Sequence, residues 1–173
     1  MSYIISDNKR CGVIGYGSWA TALVHTLERN KIEIWWHIRN EEILESMETE
    51  GRNAKYLSDV EFDTSLITAT SDINEVIRNS EVILIATPSA FLKTVLADLT
   101  EPLDGKFILS ATKGKIADDS TTITEFFKKT YDIHYSNLGL ISGPSHAEEV
   151  SRNKLSYLTV ACKSEENARI IGE

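Results

Sequence analysis

Little in this sequence points outward, to a membrane, a metal or a nucleic acid. It has two cysteines, Cys11 and Cys162, in widely separated apolar runs, and four scattered histidines. That pattern lacks zinc-type spacing, so no metal site is expected and both cysteines read as reduced, buried thiols. With three prolines there is no proline-rich linker, and neither repeats nor low-complexity tracts interrupt the chain. No apolar run approaches the roughly 20 residues of a membrane span. The polar stretch 1–9 lacks the layout of a signal peptide, which leads us to expect a cytoplasmic protein. Positive charge is scarce: 18 lysines and arginines face 26 acidic residues, for a net charge of -8. Non-specific binding to nucleic acid or an anionic membrane is therefore not expected. An anionic ligand would have to be held by local amides and a few placed cations.

What is present is ordinary globular material. The 173 residues are 42% hydrophobic and 25% charged, enough for one α/β domain with a real core. The most informative stretch is near the N-terminus. Cys11 to Ile14 reads as a buried strand, and Trp19, Ala22, Leu23 and Leu27 fall at helical spacing after it. Between them Gly15-x-Gly17-x-x-Ala20 has the G-x-G-x-x-G/A form of the dinucleotide fingerprint, in the strand–turn–helix setting that the motif requires. Gly15 permits the tight turn, Gly17 lets backbone approach a diphosphate, and Ala20 lets the helix pack on the strand. Amides near Ser18 and Trp19 then face the phosphates. A plain turn would have no need of two glycines and an alanine in this register.

The remainder alternates strand and helix. Strands are predicted at 31–38, 66–70, 81–86, 106–111, 137–141 and 155–162. Helices are expected at 41–49, from Asp72, after Thr87-Pro88-Ser89, from Thr122, from Ser145 and from Ser164. Asp72/Glu75, Thr122/Glu125 and Ser145/Glu148 have the spacing of helix caps. The helix after Pro88 should bury Phe91, Leu92, Val95, Leu96 and Leu99. This pattern implies a Rossmann-like, doubly wound, mainly parallel sheet with helices on both faces, spanning residues 1–173 with 1–9 as an extension. The turns at 15–18, 37–40, 87–89, 112–115 and 142–147 all follow strands, so they should share one rim, where such sheets bind ligands. At the end of the second strand stand His37 and Arg39, with no carboxylate at the strand end itself. A carboxylate there favours NAD and an arginine tolerates the 2′-phosphate of NADP, so Arg39 argues for NADP tolerance.

Several segments in one order resemble the N-terminal domain of bacterial NAD(P)-dependent glycerol-3-phosphate dehydrogenases. They are Gly15-Tyr-Gly-Ser-Trp-Ala-Thr-Ala-Leu23, Asn53-x-x-Tyr56-Leu57, Ala111-Thr-Lys-Gly114 and Ser142-Gly-Pro-Ser-His-Ala-Glu-Glu-Val150. Ala20 departs from the family's usual glycine, a small steric change. The resemblance implies reversible hydride transfer between NAD or NADP and dihydroxyacetone phosphate or sn-glycerol 3-phosphate, feeding glycerophospholipid synthesis. It implies cofactor contacts from Gly15, Gly17, Ser18, Trp19, His37, Arg39, Lys113 and Ala147, and substrate contacts from Lys113, Gly143 and Ser145. Lys113 would support catalysis by polarising a carbonyl or stabilising an alkoxide. His146 reads as a rim or packing residue, not an acid or base. In the family a helical C-terminal domain, absent from these residues, carries the proton-accepting lysine and most dimer contacts. This chain is therefore expected to bind cofactor without turnover, and the full-length form to be a homodimer. Three alternatives remain: a non-catalytic NAD(P)-sensing module, another β-hydroxyacid dehydrogenase, and a methyltransferase, which Arg39 disfavours.

Overall fold

The computed structural model describes residues 10–116 and 120–173; the predicted extension 1–9 lies outside them. The strands are β1 (Arg10–Ile14), β2 (Glu33–His37), β3 (Ile67–Thr70), β4 (Val82–Ile85), β5 (Phe107–Ser110), β6 (Leu138–Ser142) and β7 (Thr159–Cys162). They form a seven-stranded sheet in the order β3-β2-β1-β4-β5-β6-β7. All neighbours are parallel except β6 and β7. The helices are α1 (Ser18–Arg29), α2 (Glu41–Glu50), α3 (Ile73–Asn79), α4 (Leu92–Val95), α5 (Ile123–Tyr131), α6 (Ala147–Ser151) and α7 (Glu165–Gly172).

Period-two alternation divides the core into two layers. Val82 and Leu84 of β4 join Phe107 and Leu109 of β5 against α1, α2 and α7. Ile83 and Ile85 join Ile108 against α3, α4 and α5. Every residue of β4 is buried, which explains its unbroken apolar run. Gly12 is a close-approach position: a Cβ there would lie 2.8 Å from both Val76 Cγ1 and Ser80 Oγ, so its absence lets α3 sit directly on β1.

The predicted doubly wound sheet is observed, with its last strand reversed. The connection from β6 holds only the five-residue α6, which packs on α1 rather than crossing the sheet. With no crossover helix, the chain re-enters from the rim it left, and Ser142 pairs with Thr159. Residues 143–158 therefore stay on that rim.

Three local expectations need correction. After β4 the chain forms a 3₁₀ turn (Ser89–Phe91), the four-residue α4 and a second 3₁₀ turn (Leu96–Asp98). Leu92, Val95 and Leu96 are buried, but Phe91 is 60% exposed. The Ser145/Glu148 box does not form: the residue before α6 is His146, and the Ser145 hydroxyl is bonded elsewhere. Asp72 does cap α3, but the Glu75 carboxylate accepts from the Thr70 hydroxyl instead of closing a box. At Thr122 and Glu125 the reciprocal box is complete. Both cysteines are free; Cys11 is buried while Cys162 is only half-buried. Desolvation pushes the Cys11 thiol up to about 12, making it an inert packing group. Among the described residues no helix is long and apolar enough to cross a membrane.

Candidate dinucleotide site

The two glycines after β1 differ in why they are glycine. Gly15 has φ +125°, and a Cβ on it would lie 2.6 Å from the Ala86 carbonyl oxygen. The fold itself excludes any side chain there. Gly17 has an ordinary φ of -74°, and a Cβ on it would meet nothing within 4 Å. Neither conformation nor packing calls for glycine at 17; what the missing Cβ preserves is open space. Helix α1 starts immediately after with no side-chain cap, whereas side chains of Asn40, Thr122 and Ser164 cap α2, α5 and α7. The first-turn amides of α1 and the positive end of its dipole therefore stay available for an anion. Ala20 is fully buried, so the helix lies close on the sheet.

Two clefts adjoin this turn and share Thr87 and Pro88. The first, about 340 Å³, is lined by Gly15, Gly17, His37, Arg39, Tyr56 and Phe91 among others. The second, about 440 Å³, is lined by Ser18, Trp19, Lys113, Ser145, His146 and Ala147 among others. The five post-strand turns thus converge on one rim, as the strand order requires.

In the first cleft His37 is 2% exposed. Burial, helped by the nearby Arg39 charge, lowers its pKa to about 4 against a smaller opposing bond with the Ser71 backbone. Its imidazole is therefore neutral at physiological pH. Arg39 is exposed and makes no ion pair among the described residues. In the second cleft Lys113 is likewise exposed, on a turn that Gly114 completes at φ +90°. That turn is fastened at several points. The Trp19 indole N–H donates to the Ala111 carbonyl at 3.1 Å, and the Thr112 hydroxyl lies 2.8 Å from the Thr87 carbonyl and 3.1 Å from that of Ile85. Ser145 is buried and its hydroxyl donates to the Tyr157 carbonyl at 3.1 Å. Gly143 faces the same carbonyl: a Cβ on it would fall 2.1 Å from the Tyr157 oxygen. Packing against the 155–158 strap is thus enough to explain Gly143, whatever else it does.

A family profile described as the N-terminus of NAD-dependent glycerol-3-phosphate dehydrogenase matches residues 10–168. The chain belongs to that family. It is 32% identical over 168 residues to glycerol-3-phosphate dehydrogenase [NAD(P)+] of Limosilactobacillus reuteri, covering 93% of this chain and 49% of that protein. It is 30% identical to the Streptococcus pneumoniae protein of the same name, covering 96% and 50%. The crystal structure of glycerol-3-phosphate dehydrogenase from Coxiella burnetii superposes with a TM-score of 0.83 at 25% identity, over 94% of this chain and 49% of that one. The chain therefore spans about half the length of these dehydrogenases.

Within the dehydrogenase N-domain, four residues at the site are given no site role by the sequence, although Asn53 and Tyr56 belong to one of the segments that carry the family resemblance. Tyr56 and Phe91 place partly exposed rings in the first cleft, 37% and 60% accessible; their exposure, invisible in sequence, is what sets them apart from core aromatics. Trp36 and Asn53 are fully buried and act on the glycine turn from behind. The Trp36 indole N–H donates to the Gly15 carbonyl at 2.7 Å. The Asn53 amide donates to the Tyr16 carbonyl and to Thr21 Oγ1, both at 2.9 Å. Trp36 reads from sequence as one more strand aromatic, and Asn53 only as part of a family signature.

Proposed function

We propose that this chain is the cofactor-holding half of an NAD(P)-dependent glycerol-3-phosphate dehydrogenase. The observation that carries the reading is Gly17: a glycine with no internal reason to be one, opening an uncapped helix at the junction of two clefts. The residues present fit a dinucleotide. Amides of the 15–18 turn would take the diphosphate, His37 and Arg39 the adenosine end, and Trp19, Lys113 and Ala147 the nicotinamide side. The nicotinamide supplies the hydride acceptor or donor for interconverting sn-glycerol 3-phosphate and dihydroxyacetone phosphate. The Lys113 ammonium suits the substrate oxygen, where negative charge grows as the carbonyl is reduced. Ser145 has its proton committed to Tyr157 and would offer the substrate its oxygen lone pairs, with Gly143 shaping the floor beside it. By resemblance to the family, the proton acceptor would come from the second half of the longer relatives, and we expect these 173 residues to bind cofactor without turnover. A cytoplasmic setting, a homodimeric full-length form and supply of glycerophospholipid precursors complete the proposal.

Calorimetric titration with NADH and NADPH tests it. The folded chain should bind both, and Arg39→Ala should weaken NADPH about tenfold more than NADH, the cost of one charge-assisted contact. Equal losses would remove the 2′-phosphate role of Arg39. Failure of the folded chain to bind either nucleotide would overturn the reading.

A further inference from the structure

The backbone of the glycine turn is held from behind at every carbonyl from Ile14 to Gly17. Four successive carbonyls each accept from a partner on the protein side. Ile14 accepts from the Ala86 amide at 2.9 Å and the Thr87 hydroxyl at 3.0 Å. Gly15 accepts from Trp36 at 2.7 Å and Tyr16 from Asn53 at 2.9 Å. Gly17 accepts from the Thr21 amide at 2.9 Å and the Thr21 hydroxyl at 3.0 Å. No cis peptide occurs among the described residues, so in each unit the next N–H points opposite to the carbonyl. Fixing the Gly15, Tyr16 and Gly17 carbonyls toward buried partners therefore aims the N–H groups of Tyr16, Gly17 and Ser18 away from the core, on the side of the clefts these residues line. A flipped plane would present a carbonyl dipole to an anion instead.

We infer that Trp36 and Asn53 are positioning residues for diphosphate recognition, acting through the peptide planes that follow Gly15 and Tyr16. Neither side chain lines the clefts. One plane orientation satisfies the Trp36 N–H and both N–H groups of the Asn53 amide; the flipped one leaves the Trp36 donor buried and unpaired and Asn53 with only its bond to Thr21 Oγ1, which biases the planes before any ligand arrives. Asn53 is braced for this work, since its Oδ1 accepts from the Lys55 and Tyr56 amides at 3.1 Å. The Trp36 ring is held edge-on to Phe62 at a centroid distance of 5.6 Å. Trp36→Phe would keep that aromatic packing and delete only the donor.

This inference rests on the dinucleotide reading, and its test separates the two. The 173-residue chain, Trp36→Phe and Asn53→Ala are titrated with ADP-ribose, which carries the diphosphate, and with adenosine 2′-monophosphate, which lacks it. Melting temperatures identify the variants that fold, and Trp36→Phe alone suffices if Asn53→Ala does not. We expect ADP-ribose to weaken about tenfold while the monophosphate changes less than about twofold. Amide-resolved NMR should localise the defect. The ligand-induced shift should be lost at the Tyr16 N–H in Trp36→Phe and at the Gly17 N–H in Asn53→Ala. Unchanged ADP-ribose affinity in a folded variant, or equal loss of both ligands, overturns the positioning role. A wild-type chain that ignores ADP-ribose overturns the dinucleotide reading instead.

Discussion

A Cβ at Gly15 would press on the Ala86 carbonyl, whereas one at Gly17 would enter empty space. The first glycine is thus explained by the fold and the second only by something the fold leaves room for. His37 shows a different tension at the same scale. Its ring is buried, and desolvation holds its pKa near 4 against an ordinary value of 6.5. The hydrogen bond with the Ser71 backbone, and to a lesser extent Asp72 and Asp98, pull the value upward but do not offset the burial and the Arg39 charge. The unfolded chain, with a normal histidine, therefore binds the extra proton first as pH falls. His37 gives up no stability above about pH 6.5, and stability is lost progressively toward pH 4. We expect wild-type thermal stability to fall more steeply over that window than that of a folded His37→Gln variant, by up to about 3 kcal/mol at the acid end. Parallel pH profiles for the two proteins would contradict the buried-neutral assignment.

Among the elements, α4 gives the clearest functional contrast. Its Leu92 and Val95 are buried against the sheet, yet the 3₁₀ turn before it leaves Phe91 in the first cleft. A large exposed ring in the cleft that Tyr56 and Arg39 also line suits stacking on a planar base. Phe91→Ala should leave the melting temperature almost unchanged, within about 0.5 kcal/mol of stability. It should weaken NADH and NADPH alike by roughly three- to tenfold; unaltered titration curves would remove Phe91 from the site. The sequence spacing had assigned this ring to the core, because periodicity reports which residues could share a face, not where a short helix begins. Capping motifs show the same limit. Thr122 and Glu125 close their box, Asp72 closes half of one, and Ser145 bonds across to Tyr157. A two-residue signature cannot register a competing partner a dozen positions away.

At the level of the whole molecule, the strand order explains why sequence-distant turns meet. Alternating strand and helix was enough to anticipate a seven-stranded, mainly parallel sheet and a shared rim, and the rim gathers the turns after β1, β2, β4, β5 and β6. The direction of β7 was not legible, because it depends on a connection too short in helix to cross the sheet. Nor were the roles of Trp36 and Asn53, whose polar atoms reach back over 21 and 37 residues to the glycine turn. All of these features converge on the claim that the open space beyond Gly17 belongs to a diphosphate. Gly17→Ala tests that claim most directly, by thermal melting followed by NADH titration of the same sample. The account predicts stability within about 1 kcal/mol of wild type, since φ and packing both admit a methyl group, with NADH affinity reduced about a hundredfold or more. A folded Gly17→Ala chain that binds NADH as tightly as wild type would contradict it.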